Sequence, residues 1–387
     1  NFPILVKGVY NTSGEWKASI GSDDKLYFML MDESVADTFE YAYTSALTSY
    51  ENEWLHVCCV YDGRGGTSAN AGMKIYLNGS EVSVTLSDGG TYVAMENLGA
   101  DLHIGKDEAQ YADGSIANVA IHSSALTQSQ IQELMFTEKY SGLSADLKTN
   151  LVSWYDLGSV ELGTSLITGD SSDMDAVGNW AIGSWSSGVN VALTSVSGGQ
   201  DGNAMQIDSD SGRGYARYNS NSGLTVVNGR SYRFSIWGKN GTGEGAVALG
   251  NAKAGGQYQS YNNFTTSDGV VFTKDFQSSD TDLHISLIQQ TGGSSVLWDN
   301  VIVKPINVAD SHGSNTGEVY GATTTTGYTS SPHGVVDPLN FGEGYSGRAL
   351  SFDGTNDYVT LSKPDFMNGE SAFTMSAWAL HDDTGSD

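Results

Sequence analysis

Short runs of alternating hydrophobic and polar residues fill most of the chain. Between residues 1 and 126 these runs are separated by Gly, Asn and Asp, and each has the length of one strand: KLYFMLM, WLHVCCVYD, MKIYLNG, DLHIG and ANVAIH. Alternation with a period of two is typical of strands with one buried face. Leu77 to Gly79 adds a hairpin turn signal. The pattern predicts an all-β fold of the sandwich type.

One segment has helical periodicity instead. In ALTQSQIQELMFTEKY, Thr127 and Gln130 have the spacing of a capping box, and Ile131, Leu134 and Met135 follow at i, i+3 and i+4. We expect one short helix after the first group of strands, covering an edge of the first sandwich.

Composition narrows the possible partners. The 387 residues include 18 Lys+Arg against 45 Asp+Glu, which gives a formal charge of -27. Nucleic acids and anionic membranes bind through clusters of Lys and Arg, and the sequence has no such cluster. No apolar run approaches the roughly 20 residues of a membrane-spanning helix. The length allows two to three domains, and because residue 1 is Asn we expect a processed or excerpted piece.

Motifs for catalysis are missing from the sequence. It has no Glu-x-Asp-x-x-Glu run, no His-Glu-x-x-His spacing and no Gly-x-Ser-x-Gly elbow, and its seven histidines are scattered. Cys58 and Cys59 are adjacent, so on a strand their side chains point to opposite faces, and we expect both to be small apolar fillers. The sequence therefore predicts no enzyme.

The segments WLHVCCVYDG, MKIYLNGSEV and LHIGKDEAQYADGSIANVAIHSSALTQSQIQEL resemble the second half of a laminin-G-like, concanavalin A-like lectin jelly roll, in the same order and with similar spacing. The first half resembles segments near the other end of the chain, namely LVSWYDLGS, GRALSFDGTNDYVTLS and FTMSAWALHDD. The resemblance implies a C-terminal part of the sandwich at residues 1–140, a linker at 141–150, and an N-terminal part at 151–159 and 307–387.

The strand FTMSAWALHDD, from Phe373, ends in a polar turn without a following strand. We expect it to form a hairpin with NFPILVKG at the other end of the chain. Three arrangements remain open. The halves close within one chain as a circular permutant, between chains head to tail, or with a flanking unit of a tandem array.

Residues 160–306 interrupt the lectin pattern. NAMQIDSDSGRGYARY, LTVVNGRSYRFSIWGKNG, DLHISLIQQ and SVLWDNVIVKPI resemble, in order, the strands of a galactose-binding-like jelly roll of the carbohydrate-binding-module type. The resemblance implies a second β-sandwich inserted into a loop of the first, where insertions are tolerated.

Alternation within SYRFSIWGK places Tyr232, Phe234 and Ile236 in the core, and Arg233 and Trp237 on the opposite face. An exposed Trp beside an Arg is suited to a sugar, because pyranose rings stack on aromatic planes and Arg binds hydroxyls. We expect tyrosines of GGQYQSYNN to supply a second wall. The predicted carbohydrate-binding residues are Trp237, Arg233, Tyr258 and Tyr261.

Calcium is the predicted cofactor, because the resemblance implies loops that hold a hard cation with carboxylate and carbonyl oxygens. In the inserted module we expect Asp299 to act with Asp170 or Asp173. In the lectin sandwich we expect Asp357 and Asp113 to contribute.

By analogy with other arrays of these two modules, the resemblance implies a non-enzymatic extracellular protein of a virion or cell surface. It would bind glycans or a glycosylated receptor for adhesion in a fibre or surface array, with self-association or tandem neighbouring modules. Two alternatives remain open: a structural filament or decoration protein with sandwiches completed head to tail, and the accessory binding region of a polysaccharide-degrading enzyme.

Overall fold

The computed structural model describes residues 1–34, 38–137, 139–184, 187–220, 222–253, 255–264, 266–324, 348–362 and 372–381, with the backbone alone at 260–264. β-Strands dominate, which confirms the all-β prediction. The chain divides into two compact units, with residues 1–161 and 307–387 in the first and residues 162–306 in the second.

The elements are numbered along the described part of the chain. The first unit starts with β1 (Phe2–Lys7), β2 (Trp16–Ile20), β3 (Leu26–Asp32), β4 (Thr38–Tyr43), β5 (Trp54–Tyr61), β6 (Met73–Leu77), β7 (Ser80–Glu81), β8 (Thr85–Gly89), β9 (Leu102–Ile104), β10 (Lys106–Asp107), β11 (Gln110–Tyr111), β12 (Asp113–His122), α1 (Gln128–Met135), α2 (Ala145–Thr149) and β13 (Leu151–Tyr155). Short 3₁₀ turns lie at Thr48–Tyr50, Gly66–Gly72 and Tyr140–Gly142.

The chain continues with β14 (Glu161–Leu162), α3 (Asp170–Asp173), β15 (Trp180–Ser184), β16 (Val191–Ser197), β17 (Asn203–Ser209), β18 (Gly214–Tyr218), β19 (Leu224–Thr225), β20 (Ser231–Asn240), β21 (Gly245–Gly250), β22 (Gln259–Phe264), β23 (Val270–Gln277), β24 (Asp282–Gln289) and β25 (Ser294–Val308). The remaining strands belong to the first unit: β26 (Gly317–Tyr320), β27 (Thr323–Thr324), β28 (Leu350–Asp353), β29 (Tyr358–Leu361) and β30 (Phe373–His381).

The first unit is a sandwich of two antiparallel sheets. In the first sheet the strand order is β26-β29-β9-β1-β2-β3-β4-β8, and in the second it is β27-β28-β12-β30-β5-β6-β7, with β13 also paired to β12. Aromatic rings fill the space between the sheets. The Phe373 ring of β30 lies 5.6 Å from the Trp16 ring and 5.8 Å from the Phe28 ring, centroid to centroid.

The predicted hairpin between β30 and β1 is wrong. β30 pairs Phe373 with Tyr61 and Leu380 with Trp54 in β5, and its other edge pairs with β12. β1 lies in the opposite sheet between β2 and β9. The alternation was misleading because β30 is buried on both faces, from Phe373 to Ala379. One face meets the core, and the other meets α1.

The helix α1 explains that second buried face. Thr127 and Gln130 form the predicted capping box, and Ile131, Leu134 and Met135 are buried as expected. The Met135 carbonyl accepts a hydrogen bond from Trp378 Nε1 of β30 at 3.3 Å. The helix therefore covers the outer face of the second sheet rather than its edge.

Both halves of this sandwich come from one chain. β5 and β12, from the N-terminal residues, flank β30 from the C-terminal ones. Of the three arrangements left open by the sequence, the structure has closure within a single chain. The segment 141–150, predicted as a linker, contains α2, and Leu147 within it is only 1% exposed in the core of this unit.

The second unit is also a sandwich of antiparallel sheets. One sheet has the order β16-β17-β25-β20-β23, and the other has the order β15-β18-β24-β21-β22. Phe234, Trp298 and Leu287 are fully buried between them. β25 continues beyond this unit, where Asn307 and Val308 pair with β26 of the first unit.

Candidate functional site

The outward face of the second unit's sheet β15-β18-β24-β21 carries two rows of side chains in register. Because side chains alternate along a strand, the neighbours of the buried Ala216, Val247 and Leu287 point outward. Cross-strand pairing lines them up in two rows: Gly183, Tyr215, Ile288 and Ala246 in the first, and Ala181, Arg217, Ser286 and Ala248 in the second.

Small residues on this outward face are buried. Ala246 is 0% exposed, Ser286 1% and Ala248 6%. Ile288 and the half-buried Tyr215 pack with the two alanines in one apolar cluster. These small side chains therefore form the floor of the outward face, beside the larger Tyr215, Arg217 and Ile288. We call the surface formed by Tyr215, Arg217, Ala246, Ala248, Ser286 and Ile288 the sheet groove.

Tyr215 and Arg217 form one wall of the sheet groove. The guanidinium carbon of Arg217 lies 4.1 Å from the centroid of the Tyr215 ring, a distance at which cation–π attraction holds the two groups together. A Cβ at Gly183 would lie 2.1 Å from the Tyr215 hydroxyl oxygen. Glycine at that position therefore gives the ring room to lie across β15 and leaves the alanine floor to one side.

Two polar atoms of the sheet groove have no hydrogen-bond partner among the described residues. They are Arg217 Nε and Ser286 Oγ, and both are buried. A buried polar group without a partner is destabilising by about 1–3 kcal/mol. Such atoms can bind a polar ligand, since a hydroxyl group can accept from the guanidinium and exchange a hydrogen bond with the serine.

Trp237 is not the exposed platform that the sequence predicts. It does point away from the core, as the alternation indicates, but only 7% of it is exposed. Ala204 and Leu297 pack against it, and Gly269 brings its backbone so close that a Cβ there would lie 2.2 Å from the indole. Ala204 and Leu297 lie on other strands and Gly269 lies just before β23, so residues distant in the sequence cover the surface expected to bind a sugar.

Arg233 already binds a carboxylate. It faces Asp275 across strands β20 and β23, and its Nε and Nη2 donate to the two carboxylate oxygens, each at 2.6 Å. This bidentate geometry occupies the planar edge of the guanidinium. Arg233 therefore holds two strands together rather than presenting a free donor to a ligand.

Of the two tyrosines predicted to form a wall beside Trp237, only the Tyr258 side chain is described. The Tyr258 ring stacks on Phe276 of the core at 4.9 Å, and its hydroxyl accepts the backbone N–H of Ser279 at 2.8 Å. Tyr258 thus belongs to the core cluster, and Trp237 belongs to the cluster on the outward face. The backbone of Tyr261 pairs with Val247, and its side chain lies outside the described part of the chain.

Asp299 is fully buried and surrounded by backbone donors. Its carboxylate accepts N–H groups from Gln200 at 2.8 Å, Asp201 at 3.1 Å and Asn300 at 2.7 Å. Burial raises its pKa even though these hydrogen bonds act in the opposite direction. The carboxylate therefore fastens the loop before β17 to β25.

The partners predicted for Asp299 lie in α3. Asp170 is exposed in that short helix, and Asp173 accepts the N–H of Asp175. Across the described residues, no group of three or more His, Cys, Asp or Glu side chains is arranged to hold a metal ion. Calcium binding stays a prediction.

Asp357 and Asp113 lie beside one turn of the first unit. Asp113 pairs with Asp353 across β12 and β28, and the carboxylate of Asp357 accepts the N–H of Asp353 at 3.2 Å. Burial, and then the nearby Asp353 charge, raise the pKa of Asp357 to about 7. Its visible role is to hold the turn between β28 and β29.

Comparisons with known proteins agree with the resemblance found for the N-terminal part. Residues 1–132 match the family model of the concanavalin A-like lectin/glucanases superfamily, which confirms that resemblance. A search of curated proteins finds no match. Among the described residues, no helix has the length and hydrophobicity needed to cross a bilayer.

Several solved structures are similar to parts of this chain. The enzymatically active domain of the bacteriophage CBA120 tailspike protein 4 is 13% identical with a TM-score of 0.28; the match covers 36% of this chain and 21% of the tailspike chain, about a fifth of its length. A family 11 carbohydrate-binding module of Clostridium thermocellum is 17% identical over 38% of this chain and 95% of its own, with a TM-score of 0.27. A xylan-binding domain of Paenibacillus barcinonensis Xyn10C is 13% identical over 38% and 96%, with a TM-score of 0.28.

Proposed function

We propose that this chain is a non-enzymatic glycan-binding protein and that the sheet groove binds the sugar. The observation that carries the proposal is the buried floor of Ala246, Ala248 and Ser286 beside the wall of Tyr215 and Arg217. A floor of small side chains admits a pyranose ring, and a tyrosine plane suits its C–H face. A mostly apolar lining with a few polar groups is usual for a ligand site.

The two unpartnered polar atoms give the site its polar contacts. A sugar hydroxyl would accept from Arg217 Nε and a second would bond to Ser286 Oγ, which offsets the penalty of burying both. Both atoms lie beneath the surface, so the paired side chains of Tyr215 and Arg217 rotate when the sugar enters. Rotamer changes of this kind are common on binding.

The composition of the sheet groove supports binding without catalysis. Glycosidases use a pair of carboxyl groups flanking the scissile bond. The six residues that define the groove include one cation, Arg217, and no carboxylate. The groove can therefore hold and orient a sugar, and we assign it no reaction.

We place this binding function outside the cell, on a virion or cell surface, in adhesion to glycans or a glycosylated receptor. The acidic, Gly-rich composition and the lectin-superfamily match at residues 1–132 support that setting. Strand pairing within one chain supports this proposal over a filament or decoration protein whose sandwiches are completed by a neighbouring chain. The accessory region of a polysaccharide-degrading enzyme remains the alternative, and the parent reading frame would show whether a catalytic domain is attached.

Titration calorimetry against a panel of neutral and acidic polysaccharides tests the proposal. We expect Tyr215→Ala and Arg217→Ala each to weaken binding of the recognised glycan at least about tenfold, equivalent to about 1.4 kcal/mol. The matched control is Arg213→Ala, which removes an exposed arginine just before β18 and outside the groove. Equal affinity of all three variants and the wild type would refute the groove as the site.

A further inference from the structure

The outward face of the first unit's first sheet is aromatic where it crosses β3 and β4. Five side chains alternate there with buried core residues, and each is half-buried: Tyr27, Met29, Phe39, Tyr41 and Tyr43. We call this surface the tyrosine face. The solvent side of an antiparallel sheet is normally polar, and contiguous exposed apolar surface commonly marks a binding site.

The rings of the tyrosine face form a continuous row along β4. Tyr43 lies directly opposite Tyr27 of β3, with ring centroids 5.3 Å apart and planes inclined by 22°. Tyr41 follows 5.8 Å from Tyr43, and Phe39 follows 5.6 Å from Tyr41. These three rings lie in a row along β4, so they form an elongated surface rather than a single pocket.

Charges at the margin of the tyrosine face are already compensated. Lys25 forms an ion pair with Asp23 at 2.8 Å, and its ammonium nitrogen lies 5.4 Å from the Tyr43 ring centroid. The Tyr27 hydroxyl donates to the same Asp23 at 2.9 Å. The adjoining edge strand β8 contributes hydroxyl groups, since Thr85 pairs with Tyr43 and Ser87 pairs with Tyr41.

This chemistry selects an uncharged, hydroxyl-rich ligand with apolar faces. An anionic polymer needs free cations, and the Lys25 ammonium is already paired in a chain of formal charge -27. Aromatic rings bordered by hydroxyls fit successive pyranoses, whose C–H faces stack while their hydroxyls exchange hydrogen bonds. We propose that the tyrosine face is a second glycan-binding surface, which takes a neutral polysaccharide chain along β4. The proposal rests on the glycan-binding function proposed above, and its site is separate from the sheet groove.

Affinity electrophoresis of the full chain through gels containing neutral polysaccharides (mixed-linkage β-glucan, xylan or galactomannan) tests this proposal. The background is Tyr215→Ala combined with Arg217→Ala, which disables the sheet groove. In that background we expect residual retardation, and adding Tyr41→Ala with Tyr43→Ala should weaken it at least about tenfold. The matched control is Tyr111→Ala, which removes a half-buried tyrosine of the β10–β11 hairpin in the same unit. Circular dichroism and the melting temperature check that each variant is folded.

The outcomes separate the two proposals. Loss of all retardation in the groove-disabled protein, with no effect of Tyr41→Ala and Tyr43→Ala on the wild type, would overturn the second surface and leave the groove in place. Residual binding that Tyr111→Ala reduces as strongly would also overturn it. A wild type that none of the gels retards would reject glycan binding itself for these polymers. Self-association that disappears with Tyr41→Ala and Tyr43→Ala would assign the face to a second copy instead.

Discussion

The ring of Phe2 meets the imidazole of His381 edge to face, with centroids 5.2 Å apart and planes inclined by 72°. Phe2 starts β1 in the first sheet, and His381 ends β30 in the second. The contact therefore crosses the sandwich between the first and the last strand of the described chain. Each of the two strands is held in a different sheet by neighbours from the same chain.

Closure within one chain predicts that thermal stability does not depend on concentration. If a second chain supplied half of the sandwich, the melting temperature would rise with protein concentration by mass action. We expect the same melting temperature over a hundredfold range of concentration in scanning fluorimetry. A rise with concentration would instead indicate completion between chains.

Breaking the buried ion pair of Lys7 and Glu15 should strongly destabilise the protein. The Nζ to Oε1 distance is 2.7 Å, the two side chains are 0% and 3% exposed, and the N–H of Leu98 also donates to Glu15. Lys7→Met leaves a buried carboxylate without its cation, which should reduce the free energy of unfolding by about 3–5 kcal/mol. Urea denaturation measures this.

The matched control for that pair is the double variant Lys7→Met with Glu15→Gln. Without an uncompensated charge it should lose clearly less stability than Lys7→Met alone. Losses that simply add in the double variant would show that the two side chains do not interact in solution.

Replacing Glu40 should stabilise the folded protein by an amount that depends on pH. It is 1% exposed, and burial raises the pKa of its carboxyl from 4.5 to about 7. The folded state holds this proton more tightly than the unfolded state. Stability therefore falls as the pH rises from about 4.5 to 7, by an amount on the order of 3 kcal/mol.

Glu40→Gln keeps the shape of the protonated side chain and cannot ionise. We expect it to match the wild type below pH 4.5 and to be increasingly more stable up to about pH 7, with a constant difference above that. Unfolding by urea at a series of pH values gives the difference directly. Asp357→Asn should show the same sign, because burial raises the pKa of that carboxyl to about 7 as well. A difference independent of pH would exclude the buried proton on Glu40.

Replacing Trp237 should reduce the stability of the fold without weakening glycan binding. Because the indole packs against Ala204 and Leu297 beneath Gly269, Trp237→Ala leaves a cavity and should reduce the free energy of unfolding by about 3–5 kcal/mol. The affinity of the folded variant for glycan should equal that of the wild type, as measured by titration calorimetry below its melting temperature. A binding defect in the folded variant would return Trp237 to the sugar site.

The sequence pattern was sufficient to predict features that form within a single helix or strand. The capping box of Thr127 and Gln130 was readable because both of its hydrogen bonds lie within one turn. Likewise, Tyr232, Phe234 and Ile236 are no more than 2% exposed, as the period of β20 indicates. Such features depend on residues a few positions apart.

Features that depend on contacts between residues far apart in the sequence could not be predicted from it. The cover over Trp237 comes from Leu297 on β25 and from Gly269 just before β23, and the partners of β30 were hidden by its apparent alternation. The sheet groove was missed because its rows form only when four strands pair. One signal was present: in GAVALG every outward position holds Ala or Gly, which favours a shallow floor over an ordinary polar surface.

Methyl NMR of the full chain with labelled Ala and Ile tests whether the sugar enters the sheet groove. On addition of the glycan identified by calorimetry, we expect saturable shifts of the methyl signals of Ala246, Ala248 and Ile288, with that of Ile4 in the first unit's β1 unchanged. Binding that saturates while these three methyl signals stay in place would contradict it.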